Sequence, residues 1–313
     1  MKKLIALFGA SALLLGACGT TGLEGDDTGD TGEEAVESVE PEEMVVGLSL
    51  STLNNPFFVS LEEGVVNAAE AEGAEVQTVD AQDDTAKQLN DVNDLIQQGV
   101  NVLLINPVDS AAIAPAIESA NSAGIPVITI DRSTEGGDVI TLVASDNVEG
   151  GEMAAQYIID LVGEGAATVQ LEGVPGASAT RERGEGFMNV AEEGLDVVDT
   201  QTANFNRSEG LTVMENMLQA NSDLKAVFAQ NDEMALGAIE AIEAAGLEDE
   251  IVVVGFDGND DALAAIEEER MDATIAQQPI EMGRIAMETA FEYFDGEEIE
   301  DYIASPLELI TNE

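Results

Sequence analysis

The sequence predicts an α/β protein of two similar lobes, each built as a doubly wound parallel sheet. Two observations carry this. From Met44 onward, short apolar strands alternate with amphipathic helices, the signature of parallel βαβ units. The alternation then restarts near Gly150 and runs a second time, and two such runs make two lobes. A length of 313 residues with 45% hydrophobic content is enough to give each lobe a core.

Strand Met44–Leu50 opens into Ser51-Thr-Leu-Asn-Asn-Pro56, and a helix then runs through Val65 to Gly73. Strand Glu75–Val79 leads to a helix carrying Leu89, Val92, Leu95 and Ile96, closed by Gly99. Strand Val102–Ile105 precedes Asn106-Pro107, a helix from about Ser110, and Gly124. Strand Pro126–Ile130 ends in Asp131-Arg132, and strand Val139–Val143 leads to Ser145-Asp-Asn147. The second run starts with a helix from about Gly150 to Val162 and strand Thr168–Leu171, then a glycine-rich loop and a helix bearing Arg181 and Arg183. Strand Leu195–Thr200, Phe205 and a helix from Ser208 follow. Strand Ala226–Ala229 ends in Gln230-Asn-Asp232, and strand Ile251–Val254 ends in Gly255-Phe-Asp257. Strand Thr274–Gln277, a helix from Glu281 to Tyr293 and one terminal strand near Ile303–Ile310 complete the pattern.

Polar residues recur at the strand carboxyl ends, which converge on one edge of a doubly wound sheet: Ser51 and Asn55, Asp131 and Arg132, Asn231 and Asp232, Asp257, Gln277. Amides and hydroxyls beside Phe57 and Phe58 suit a sugar, which offers hydroxyls at its edge and C–H groups on its faces. Phe58 also continues a helical stripe to Leu61, Val65 and Ala68, which predicts that its ring plugs the core as well. Asp232 precedes a helix and reads as its N-cap. Asp131 precedes a Ser-Thr-Glu-Gly-Gly loop instead, so its carboxylate needs another partner.

Composition excludes several function classes. There are 64 acidic residues against 10 basic ones, a formal charge of −54, which argues against nucleic acid as a partner. Histidine is absent, removing Ser-His-Asp catalysis and His-ligated metals. The single cysteine, Cys18, permits no disulfide framework. It follows Lys2-Lys3 and the apolar run Leu4–Leu15, the form of a signal peptide over residues 1–17. Leu15-Gly-Ala-Cys18 resembles the bacterial lipobox, which implies cleavage before Cys18 and a lipid on its sulfur. Residues 18–43 are then a lipidated cysteine and an acidic, self-repelling tether. Asp257-x-Asn-x-Asp261 with Glu268 imitates a calcium loop, but Ala262 replaces the glycine of its sharp turn and Leu263-Ala-Ala-Ile266 favours helix, so no metal is expected. Gly184-Glu-Gly186 lacks dinucleotide spacing, and no cofactor is expected.

Several motifs, in order, closely resemble the ribose-binding proteins of bacterial ABC importers, in the periplasmic sugar-binding family. They include Ser51-Thr-Leu-Asn-Asn-Pro-Phe-Phe58, Leu104-Ile-Asn-Pro107, Pro126-Val-Ile-Thr-Ile-Asp-Arg132, Arg181-Glu-Arg-Gly-Glu-Gly-Phe187, Val227-Phe-Ala-Gln-Asn-Asp232 and Val254-Gly-Phe-Asp-Gly258. The resemblance spans essentially all of Met44–Glu313. It implies the type I periplasmic binding protein fold, two lobes joined by a multi-strand hinge: residues 44–145 plus 278–306, and 146–277 plus 307–313. It implies a sugar between the lobes, held by Ser51, Asn55, Phe57, Phe58, Asp131 and Arg132 from the first and Arg183, Phe205, Asn231, Asp257 and Gln277 from the second. Arg181 is then a surface or interlobe residue. The implied function is a lipid-anchored, exported and monomeric binding protein with no catalytic residue. Its partners are D-ribose or a similar monosaccharide, the membrane subunits of a permease and, as a further candidate, a chemoreceptor. Another monosaccharide is the alternative ligand. A sugar-sensing regulator shares the fold, but the place of its helix-turn-helix is taken by a leader and an acidic stretch. A glycosidase would need Asp131 and Asp257 free for chemistry, and both are committed to gripping hydroxyls.

The acidity reads as a hydrated surface suited to salty or alkaline surroundings. Loss of Lys2 and Lys3 with the leader takes the formal charge from −54 to −56. At 0.01 M salt the Debye length is about 30 Å, so this charge repels itself across the molecule. The melting temperature is therefore expected to climb as NaCl rises to the molar range; a flat calorimetric profile would remove support for this reading.

Overall fold

The computed structural model describes residues 38–312. The expected signal peptide, Cys18 with its lipobox and most of the tether lie outside the described residues. The chain order is β1 (Val45–Leu50), α1 (Pro56–Glu72), β2 (Glu75–Asp80), α2 (Thr85–Gln98), β3 (Val102–Ile105), α3 (Ala114–Ser122), β4 (Val127–Ile130) and β5 (Thr141–Ser145). A second run follows: α4 (Asn147–Val162), β6 (Ala166–Glu172), α5 (Ser178–Gly194), β7 (Leu195–Thr202), α6 (Arg207–Ala220), β8 (Ala226–Ala229), α7 (Asp232–Ala245), β9 (Val252–Asp257), α8 (Asp260–Glu267) and β10 (Ala273–Ala276). The last elements are α9 (Pro279–Phe294), β11 (Tyr302–Ser305) and β12 (Glu308–Thr311).

These strands form two six-stranded sheets, ordered β2-β1-β3-β4-β5-β11 and β7-β6-β8-β9-β10-β12. Every pairing is parallel except β10 with β12. Both orders reverse direction beside their first strand, the switch point at which open α/β sheets place ligands. The first sheet is covered by α1 and α9 on one face, where Leu48, Leu50, Leu61, Met282 and Phe294 pack together. The other face meets α2 and α3 through Leu95, Leu103, Ile105 and Ile117. In the second lobe α6 and α7 supply Met214, Met217, Leu236 and Ile239 to one face, and α4 and α5 supply Ile158 and Phe187 to the other. Strands buried on both faces read as continuous apolar runs, which is why they were legible.

The helices lie close because glycines face backbone. A Cβ at Gly64 of α1 would sit 2.1 Å from the Ile280 carbonyl oxygen, and one at Gly283 of α9 would sit 2.2 Å from that of Leu61. The same reciprocal arrangement joins α4 to α5 through Gly151 and Gly186, and α6 to α7 through Gly210 and Gly237.

The structure departs from the sequence reading in four places. The single terminal strand is two, in different sheets, because Pro306 between them has no N–H to give a ladder. The helix expected from Ser110 becomes regular only at Ala114; before it, Asp109 Oδ1 accepts from the Ala111 and Ala112 amides and holds a turn. The strand expected at Val139–Val143 is shifted to Thr141–Ser145. The end of the expected tether is docked, since Pro41–Glu43 forms a single 3-10 turn and Val39 packs on the first lobe's core.

Candidate functional site

The carboxyl ends of the two sheets face one another, and between them lies a small cavity. It is lined by Asn55, Phe57, Phe58, Asp131 and Arg132 from the first lobe, and by Ala179, Arg183, Phe205, Asn231, Asp257 and Gln277 from the second. Ten of these eleven are among the residues expected from the sequence. The expected residue that does not line it is Ser51, which lies buried behind, its amide bonded to Asn106 Oδ1 at 3.2 Å.

Each lining side chain has a local reason to be there. Asn55 caps α1 by accepting from the Phe57 amide at 3.0 Å, and Pro56 starts the helix, so the two phenylalanines fall on its first turn. Their rings meet edge to face at 5.2 Å, and both belong to the core as well as to the cavity wall. Asp131 follows β4 with φ +65°, held by an Asn106 Nδ2 bond of 3.3 Å to its Oδ2. Arg132 donates to the Pro107 carbonyl at 3.0 Å and lies over the rings of Phe58 (5.2 Å) and Phe205 (5.3 Å). Arg183 donates to Asn147 Oδ1 and the Gln230 carbonyl, and stacks 3.8 Å from the Phe256 ring centre. Its Nη1 is 3.6 Å from Asp257 Oδ1, which accepts from Gln277 at 2.9 Å.

Asn231, expected as a ligand residue, also caps α7 by accepting from Met234 N. That corrects the reading of Asp232 as the cap. Asp232 instead turns away from the helix axis and accepts from Gly258, Asn259 and Thr274. Phe205 sits at φ +58°, with its ring against Gly173, where a Cβ would come within 2.0 Å of the ring. Asp257 has φ +132°. Three left-handed residues around the cavity, Asp131 from the first lobe and Phe205 and Asp257 from the second, cost about 1–3 kcal/mol each, a strain that collects at ligand sites. Arg181, expected at the surface or between lobes, is in both places: half-exposed, it reaches across to Glu135 at 3.0 Å.

The lobes are closed on each other. Ser110 N donates to the Gly176 carbonyl at 2.9 Å and Ser133 N to Ser178 Oγ at 3.0 Å. Asp109 lies so near Gly176 that any Cβ there would collide with it. Within the cavity several buried polar atoms have no hydrogen-bond partner in the protein: Asp131 Oδ1, Arg132 Nε and Gln277 Oε1. They present acceptors and a donor to whatever lies between the rings. Residues reading missed are Ala179, which lines the wall, Asn106, which aims Asp131, and Phe256, which backs Arg183. Asn106 carried a signal, as the polar residue closing β3. Ala179 and Phe256 carried none. From Asp260 the calcium-like segment is helix, so it forms no ion-binding loop.

Burial raises the carboxyls of Asp131 and Asp257 above their ordinary range, against the pull of Arg132 and Arg183 respectively. Burial likewise pushes Asp232 up to about 6. Arg132 is lowered, again chiefly by burial. A raised carboxyl binds a proton in the folded state that the unfolded chain, with a pKa of about 3.9, has released. The stability tied to these protons is thus fully present below about pH 4 and lost as pH climbs through the folded values. In molar NaCl, which screens the surface charge, the ligand-free protein is expected to melt higher at pH 5 than at pH 7.5. A lower melting temperature at pH 5 would mean these carboxylates are stabilised as ions.

Known proteins share this fold. The sequence model of the periplasmic binding protein domain matches residues 46–298. The chain is 58% identical, over 86% of its length and 88% of the relative's, to the ribose import binding protein RbsB of Bacillus subtilis (strain 168). It is 46% identical, over 86% and 90%, to the protein of the same name from Escherichia coli (strain K12). Among solved structures, the Caulobacter myo-inositol binding protein bound to myo-inositol superposes with a TM-score of 0.82 at 33% identity, over 86% of this chain and 93% of that one. The binding protein of the arabinose ABC transporter from Shewanella sp. ANA-3, bound to L-arabinofuranose, gives 0.82 at 32%, over 86% and 92%. The chain belongs to the periplasmic binding protein family.

Proposed function

We propose that this protein captures D-ribose between its lobes and delivers it to the membrane permease of an ABC importer. The observation that carries this is the pairing of Asp131 with Arg132 from one lobe and Asp257 with Arg183 from the other, buried together in one small cavity flanked by phenylalanines. A carboxylate accepts from sugar hydroxyls, a guanidinium donates in a fixed fork, and Asn231 and Gln277 do both. Phe57, Phe58 and Phe205 cover the C–H faces, and water leaving them adds affinity. Because the ligand touches both lobes, it stabilises the closed form over the open one, and the closed form is what the permease receives. The protein is a binding protein and not an enzyme. Ribose rather than another monosaccharide is supported by the names of its close relatives. The neighbours bound to myo-inositol and L-arabinofuranose favour the alternative that a different small polyol or sugar fits the same frame.

The test is calorimetric titration of ribose and a panel of monosaccharides. Removing a hydrogen bond to a charged group costs about 1.5–3 kcal/mol, or about ten- to a hundredfold in affinity. Asp131→Ala, Arg183→Ala and Asp257→Ala are each expected to lose that much, and Phe57→Ala to weaken binding through lost stacking. Arg181→Ala removes an exposed pair worth about 0–1 kcal/mol and serves as the mild control. Unchanged affinity in the two aspartate variants would overturn the site; tight hexose binding without ribose binding would overturn the ligand.

The protein is exported. Its anchoring through a lipid on Cys18 is supported by Leu15-Gly-Ala-Cys18 and by the lack of any other cysteine. Anchored so, and acting as a monomer, it would hand ribose to the permease at the outer face of the cytoplasmic membrane, where a chemoreceptor is a second candidate reader of the closed form. Cys18→Ser is expected to release unlipidated protein or leave the precursor uncut. Fatty-acid labelling of that variant in the membrane fraction would disprove the anchor.

A further inference from the structure

Behind the cavity wall stands a carboxylate that reaches no cavity surface. Asp232, the first residue of α7, is fully buried, and its hydrogen bonds come from no basic side chain. Its Oδ2 accepts from the amides of Gly258 and Asn259, both at 2.8 Å, and its Oδ1 from the Thr274 hydroxyl at 2.7 Å. Those amides belong to the two residues directly after Asp257. Asp257 at φ +132° and Gly258 at φ +80° form a turn that relies on outside support. The helix does not need Asp232 as a cap, because Asn231 does that. Asp232 also passes beneath β9 at Gly255, where a Cβ would come 2.4 Å from its Oδ1, so the strand leaves room for it.

We propose that Asp232 is a positioning residue for the sugar site: by clamping the Gly258 and Asn259 amides it holds Asp257 in its left-handed conformation, facing the cavity. This rests on the reading of the cavity as a ribose site. The charge of Asp232 has a second effect, since it disfavours ionisation of Asp257. Asp257 is faced by Arg183 from α5, by Asp131 and Arg132 from the opposite lobe, by Gln277 after β10, and by Asp232 from α7. Asp232 is faced by Glu233 on its own helix, by Asp257 on β9, and by neutral Thr274 on β10. With two acids and two cations around Asp257, removing the charge of Asp232 should let Asp257 stay ionised at lower pH.

Asp232→Asn separates the two effects. Its amide oxygen can still accept both backbone N–H groups, and its NH₂ can donate to the Thr274 hydroxyl, so the clamp survives without the charge. Asp232→Ala removes both. Ribose is titrated calorimetrically into the parent, Asp232→Asn and Asp232→Ala at pH 5, 6 and 7.5. At pH 7.5 the Ala variant is expected to bind about tenfold more weakly or worse, and the Asn variant within about twofold of the parent. On acidification the Asn variant is expected to lose affinity at lower pH than the parent does. A merely structural tie would move the melting temperature and leave the pH profile where it was. Full affinity in Asp232→Ala, or an Asp232→Asn profile superimposed on that of the parent, overturns the proposal. Should the Ala variant not fold, the Asn profile decides alone. A parent that binds another monosaccharide but not ribose overturns the ribose reading instead, and the same three proteins titrated with that sugar still decide the role of Asp232.

Discussion

Four charges held almost out of water govern this structure. Asp131, Arg132, Arg183 and Asp257 are each no more than 5% exposed, and they sum to zero. Isolated in a dry interior, any of them would cost several kcal/mol. Together they are tolerable only because each lobe supplies one anion and one cation, and because backbone and amide groups take up much of the remaining hydrogen-bonding capacity. The Pro107 and Gln230 carbonyls, Asn147, Asn106 and Gln277 serve this purpose. What they leave over faces the cavity. A hydroxyl-rich ring, as proposed, would supply donors and acceptors in the positions that remain, which would give ligand affinity and the tolerability of the buried charges the same origin.

That constraint explains the use of cations in a chain so short of them. Only 10 basic residues accompany 64 acidic ones, yet two of the ten are spent in the cavity. Others make exposed ion pairs, such as Arg270 with Glu243 and Arg181 with Glu135. Exposed pairs of this kind contribute little in water. The exterior therefore repels itself, while the interior charge is balanced locally and hardly senses the salt outside. A neutral sugar suits such a molecule, because neither its approach nor its retention depends on the sign of the surface.

Much of this was legible in the sequence because it follows from local pattern. Buried strands announce themselves as apolar runs, glycines mark helix ends, and the polar residue after each strand marks the ligand edge. Ten cavity residues could be named on those grounds together with the family resemblance. What was not legible depends on contacts made across the fold. Asn231 and Asp232 are neighbours of similar chemistry, and only the path of β9 past α7 decides which caps the helix and which secures the next turn. Phe256 reads as one more core residue until Arg183 is seen lying on it. Ala179 is notable only for its place in the wall. Pro306 was visible, but the separation of β11 from β12 into different sheets belongs to the crossing between lobes.

The position of α9 bears on how such a chain comes to be folded. The first lobe's core includes Met44 to Val143, but also Met282, Ala286, Met287, Ala290 and Phe294, and its sheet ends on residues 302–305. Although five of its six strands emerge first from the ribosome, the face that α1 shares with α9 is completed only after about 130 further residues have been made. Its apolar face stays unsealed throughout synthesis, and contacts so distant in sequence form slowly. For an exported chain the consequence is one of timing: the topology that lets two lobes share a hinge also delays completion of the first lobe until most of the protein has been made.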